Sequence, residues 1–110
     1  MNKRLNCYCI LVDVAKAMPG ILDAFPKGET YLIIQLKRAL SSAILNLAEG
    51  NGRYYPKDRN RFFDFSIASI SEVMGGLDYA LAFRYSDANL IQNLLDNLLK
   101  AYFMIRKLKK

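Results

Sequence analysis

Six cations crowd the middle of this chain. Lys37, Arg38, Arg53, Lys57, Arg59 and Arg61 are opposed in that stretch only by Glu49 and Asp58, and Tyr54 and Tyr55 sit among them. Side chains of these types suit a phosphate backbone, with cations meeting the phosphates and rings stacking on bases. A second basic cluster, Lys100 with Arg106, Lys107, Lys109 and Lys110, closes the chain. Without a helix-turn-helix, zinc-finger or RNA-binding-sheet pattern, contact would rest on backbone charge and not on base reading. The rival reading of the same residues is a solvated basic surface, since a net charge of +6 also serves simple solubility.

Catalytic material is sparse. There is no histidine, so no imidazole can act as base, proton shuttle or metal ligand. Ser41, Ser42, Ser66, Ser69 and Ser71 fall inside helical patterns with no strand-to-helix elbow. The carboxylates, Glu49, Asp64, Glu72 and Asp78 among them, are scattered and lack the Glu-x-x-His pairs of a di-metal bundle. Gly50-Asn51-Gly52 follows a helix instead of opening one, which is the wrong order for a phosphate loop. No enzyme activity, cofactor or metal is expected. Cys7 and Cys9, two apart on a helix, point to different sides and favour neither a disulfide nor a zinc site. They read as packing residues in a reducing, cytoplasmic setting. No apolar run reaches the roughly 20 residues of a membrane span, so no membrane partner is expected.

Four helical segments must position these groups. The first is expected from about Lys3 to Met18, with Leu5, Cys9, Val12 and Lys16 on one face, Tyr8, Leu11 and Ala15 beside it, Pro19-Gly20 ending or kinking it, and a ragged turn over Ile21 to Phe25 before the loop. The second starts near Glu29-Thr30 and buries Leu32, Leu36, Ala39, Ala43, Leu47 and Gly50, the last ending the helix through freedom at positive φ. Gln35, Asn46 and Glu49 lie near that face, where a polar group is costly unless satisfied. A hydrogen-bonded structural network with Arg38, Gln35 or Arg53 is the reading preferred over a small-ligand site there. The third helix follows Pro56, with Asp58 at its positive end, and runs to about Phe83. Its expected face is Phe62, Phe65, Ser69, Val73, Gly76 and Ala80, and Ser66, Ser69, Gly76 and Ala80 form a stripe of small residues. The fourth, capped by Ser86 or Asp87, carries Leu90, Ile91, Leu94, Leu95, Leu98, Leu99, Tyr102 and Ile105 on two adjacent stripes, wider than one core-facing side requires.

Four helices with short connections predict a single all-α domain over residues 1–110, an antiparallel up-and-down four-helix bundle. At 53% hydrophobic residues the chain exceeds the usual range of about 45–50%, which argues for self-association, with helix four and the small-residue stripe of helix three as candidate interfaces. Core packing within one bundle is the competing reading of both surfaces, and the preferred one for helix three.

The run from Gln35 through Arg38, Ser42, Asn46, Glu49, Gly50 and Gly52 to Arg53, with Asn-Leu-Ala-Glu-Gly-Asn-Gly-Arg at its end, resembles a bacterial family signature. The family comprises four-helix-bundle proteins encoded by intervening sequences in large-subunit ribosomal RNA genes. Its second motif is matched by Arg61-Phe62-Phe63-Asp64-Phe65-Ser66-Ile67-Ala68-Ser69-Ile70-Ser71-Glu72. Lys37, Ser66 and Ala68 depart from the pattern, mildly, and the convincing part spans about residues 29–84. The resemblance implies a ring- or barrel-shaped homopentamer. In one branch, the accessory variability determinant of diversity-generating retroelements, it implies a basic pentamer that partners a reverse transcriptase and binds nucleic acid. It transfers no catalytic residue, and the motif positions Arg38, Asn46, Glu49, Gly50 and Arg53 read as architectural. The expected nucleic-acid contacts are Lys37, Arg38, Arg53, Tyr54, Tyr55, Lys57, Arg59, Arg61, Arg106 and Lys107. The alternative function is a protein-interaction scaffold that never touches nucleic acid.

Overall fold

The computed structural model describes residues 5–110. Helix α1 spans Asn6–Leu22, α2 spans Thr30–Gly52, α3 spans Pro56–Ala82 and α4 spans Ala88–Leu108, with one 3-10 turn at Lys27–Glu29 before α2. No strand occurs among the described residues. The short connections force successive helices to run antiparallel, and the rod they form measures 44 × 23 × 22 Å. None of the helices is long and apolar enough to cross a membrane.

Helix α2 buries Leu36, Ala39, Ala43, Leu47 and Gly50 of the face its spacing predicts, adds Leu40, and leaves Leu32 half-buried. Its end differs from expectation. The helix runs on to Gly52, and no glycine among the described residues has positive φ. Gly50 is small for another reason: a Cβ there would lie 2.8 Å from the ring of buried Phe63. Gly76 serves the same pair of helices, because a Cβ would meet Leu36 Cδ2 at 2.5 Å. Between them Ser66, the one buried polar residue among the described residues, donates its hydroxyl to the Ala43 carbonyl at 2.7 Å and is satisfied. The small residues of α3 therefore let α2 approach within the bundle, and this pair packs most extensively. Gly75 faces open space and has no such role.

Two helical faces differ from expectation. The buried residues of α3 are Phe63, Ser66, Ile70, Val73, Leu77 and Ala80. The predicted stripe of Phe62, Phe65, Ser69 and Gly76 lies one step round, along the α2 seam and the outside. On α1 the core face is Cys7, Leu11, Val14, Met18, Ile21 and Leu22, while Cys9 and Lys16 point outward. Burial pushes the Cys7 thiol above its ordinary value, which keeps it protonated. Pro19 does not stop α1. It sits exposed in the last turn, and the helix continues because Ile21 and Leu22 bury there. A helix-interior proline costs about 3 kcal/mol. Burying two large aliphatic side chains contributes about 1.5–3 kcal/mol each, enough to offset it. The predicted start of α1 at Lys3 lies outside the described residues.

The chain reverses after α3 through a left-handed residue, Arg84, at φ 59°. Tyr85 N–H donates to the Ala80 carbonyl at 2.9 Å and Arg84 N–H to that of Leu81 at 3.1 Å, the paired bonds of a Schellman end. Asp87 then caps α4, accepting from Leu90 N–H at 3.0 Å. Beside this turn Phe25, Tyr79, Phe83 and Tyr85 pack ring on ring, and the Tyr85 hydroxyl hydrogen-bonds the Glu29 carboxylate.

Candidate nucleic-acid interface

Antiparallel packing brings the end of α2, the start of α3 and the end of α4 to one pole of the rod. Asn60 fastens the last two, donating from Nδ2 to the Lys110 carbonyl at 3.0 Å and accepting from Lys110 N–H at 3.2 Å. Lys109 pairs with Asp64 beside them. Segments fifty residues apart thus place Arg53, Lys57, Arg59, Arg61, Arg106, Lys107, Lys109 and Lys110 together, against Glu49, Asp58 and Asp64. The opposite pole holds Asp23, Glu29, Asp78 and Asp87 against Lys27 and Arg84, so the molecule is electrically polar along its axis.

The cations of the basic pole divide into two groups. The first is committed to the fold. Arg53 donates from Nε to Glu49 at 2.8 Å, pairs with Asp58 at 3.2 Å and lies 4.7 Å from the Phe62 ring centre. Arg61 reaches the other Asp58 oxygen at 3.1 Å and stacks 4.6 Å from the same ring. Arg59 donates to the Asn51 carbonyl at 3.3 Å and the Arg53 carbonyl at 3.1 Å, satisfying the last carbonyls of α2. The second group, Lys57, Lys107 and Lys110, is exposed and forms no ion pair among the described residues. Arg106 is exposed and lies 5.8 Å from the Tyr102 ring centre.

Tyr54 and Tyr55 occupy the short connection between α2 and α3. They are 86% and 70% exposed, with ring centres 5.0 Å apart and planes at 89°. Each ring therefore keeps a face open to a ligand.

Lys37 and Arg38 do not join the pole. They stand about four turns up α2, or about 22 Å from Arg53 along the helix. Lys37 edges a half-open apolar groove of about 250 Å³ between α1 and α2, lined chiefly by Met18, Pro19, Leu22, Leu40 and Ile44.

Gln35, Asn46 and Glu49 do not form one network. Asn46 donates to the Ser42 carbonyl at 2.9 Å and hydroxyl at 3.1 Å, and Ser69 on α3 donates to that hydroxyl at 2.8 Å. Glu49 is exposed and serves Arg53, while Gln35 is half-buried with no side-chain hydrogen bond to either. Arg38, expected as a partner, takes no part. The joint that sequence reasoning misses is Asn60 with Lys110, because nothing local marks a contact across fifty residues. Among the described residues no three Cys, Asp or Glu side chains converge as a metal-binding group.

Fold and site together define a small all-α helical bundle with a cationic, tyrosine-bearing pole. The family model for 23S rRNA-intervening sequence proteins matches residues 3–107, and the chain belongs to that family. Comparison with curated proteins gives no match.

Proposed function

We propose that this protein is a non-catalytic, homo-oligomeric bundle that binds nucleic acid through its basic pole. The observation that carries the reading is the convergence on one pole of cations from the 53–61 stretch and the α4 terminus, three lysines of which have no carboxylate partner among the described residues. A phosphate backbone supplies the missing counter-charge, and the counterions it releases drive association. Self-association is supported by apolar side chains that one bundle leaves in water: Leu99 and Phe103 on α4, Phe65 and Tyr79 on α3, and Phe83 just past its end. A closed ring, a pentamer by the resemblance described above, would cover such surface. In the retroelement branch of that family, the partner beside which such a protein acts in the cytoplasm would be a reverse transcriptase.

A titration with RNA or DNA at increasing salt tests the binding. Affinity is expected to be tolerant of sequence and to fall steeply with salt, with log K linear in log salt concentration. Absence of binding at low salt would overturn the reading and leave a protein-interaction scaffold. The informative variant is Lys57→Ala/Lys107→Ala/Lys110→Ala. Removing Arg53 or Arg59 would also cost the helix-end contacts those side chains make.

A further inference from the structure

We infer that the strand taken by the basic pole is unpaired, with Tyr54 and Tyr55 as its stacking platform and Lys57, Lys107 and Lys110 as its phosphate contacts. This rests on the nucleic-acid reading above and narrows its ligand to single-stranded polynucleotide.

Three observations carry it. Tyr54 and Tyr55 are the two most exposed neighbouring aromatics of the pole, and their edge-to-face arrangement leaves ring faces free. Among the described residues neither hydroxyl makes a hydrogen bond and the core uses neither ring, so packing among them does not account for the pair. Phe62, by contrast, is covered by Arg53 and Arg61 and is unavailable for stacking. Secondly, Lys57 lies two positions beyond Tyr55 at the start of α3, so a strand whose base rests on a tyrosine passes its phosphates near an unpaired ammonium. Thirdly, three of the pole's four described arginines able to make bidentate contacts to paired guanine edges, Arg53, Arg59 and Arg61, are held by Glu49, Asp58 and backbone carbonyls, which leaves Arg106 beside the Tyr102 ring. Apart from Arg106, what remains free is point charge and aromatic face. In a duplex the base faces are covered by their neighbours, and an unpaired strand leaves them open.

Fluorescence anisotropy on the full chain tests this, with a labelled mixed-sequence oligonucleotide, RNA and DNA in separate arms, against a duplex of the same length at one salt concentration. Both single strands are expected to bind about tenfold or more tighter than the duplex, the scale of one stacked base. Tyr54→Ala/Tyr55→Ala should bring single-strand affinity down to the duplex level. Tyr54→Phe/Tyr55→Phe should retain the preference, since the ring and not the hydroxyl is used. The triple lysine variant should weaken single strand and duplex alike and flatten the salt dependence while preserving their ratio. Both tyrosines are exposed outside the core, so these variants fold, and circular dichroism checks that they do. Equal or tighter duplex binding, or an alanine pair that binds like the parent, overturns the inference while leaving the nucleic-acid reading standing. Failure of strand and duplex alike at low salt overturns both.

Discussion

A methyl group on Gly50 would press against Phe63, which is fully buried and has nowhere to go, and would sit 3.2 Å from the Arg59 carbonyl. Gly50→Ala gains about 1 kcal/mol of helix propensity. Overpacking costs about 1–3 kcal/mol, and here the clash is with a rigid ring and backbone, so the net effect is expected to be destabilising. Thermal unfolding measures it; a variant as stable as the parent would mean that α2 and α3 can separate freely. Tyr85 offers a pH test. Its hydrogen bond to Glu29 pushes the phenol from 10.0 up to about 12. A folded-state value raised above the unfolded one means that the bond's contribution is complete below about pH 10 and is lost as pH rises through about 12. The stability advantage of the parent over Tyr85→Phe should therefore hold at neutral pH and vanish across that window. A difference between the two that does not change with pH would show the bond to be irrelevant.

At the scale of the helices, much of the fold is legible in the sequence and the errors have physical causes. The face of α2 is readable because Leu36, Ala39, Ala43, Leu47 and Gly50 recur three or four apart, even with Tyr31, Ile34 and Leu45 exposed outside it, and Pro56 with Asp58 marks the start of α3 by helix-terminus chemistry. The phases of α1 and α3 are not, because Tyr8, Ile10 and Val12, or Phe62, Phe63 and Phe65, offer several apolar sides at once and only the neighbouring helix selects among them. Pro19 misleads for a related reason: a local stop signal yields to burial of Ile21 and Leu22, which is a tertiary effect. The basic cluster of the 53–61 stretch is legible, but its union with the α4 terminus is not, since Asn60 and Lys110 meet only when the bundle forms. Nor does composition reveal that Arg53, Arg59 and Arg61 are occupied and Lys57 is not. The turn into α4 gives a helix-end prediction. Arg84 holds a left-handed conformation that costs an L-residue about 1–2 kcal/mol and a glycine little beyond chain entropy. Arg84→Gly should stabilise the protein by about 1 kcal/mol, read from a denaturant midpoint; a lower midpoint would show that the arginine side chain contributes more than its backbone costs.

The whole molecule is an axially polar rod, cationic with exposed tyrosines at one end and carboxylate-bearing with packed aromatics at the other. Its flanks keep Leu99 and Phe103 on α4 and Phe65 on α3 in contact with solvent. Subunits joined side by side through those flanks would point their basic poles the same way and present a continuous cationic rim. That arrangement ties the surplus apolar surface and the unpaired lysines into one account, in which assembly and polyanion binding belong to the same particle. Light scattering on the purified chain, alone and with RNA, tests it most directly. The expected mass is several times the 12.5 kDa of one chain and rises further when RNA is added at low salt. A particle of 12.5 kDa whose mass RNA leaves unchanged would contradict it.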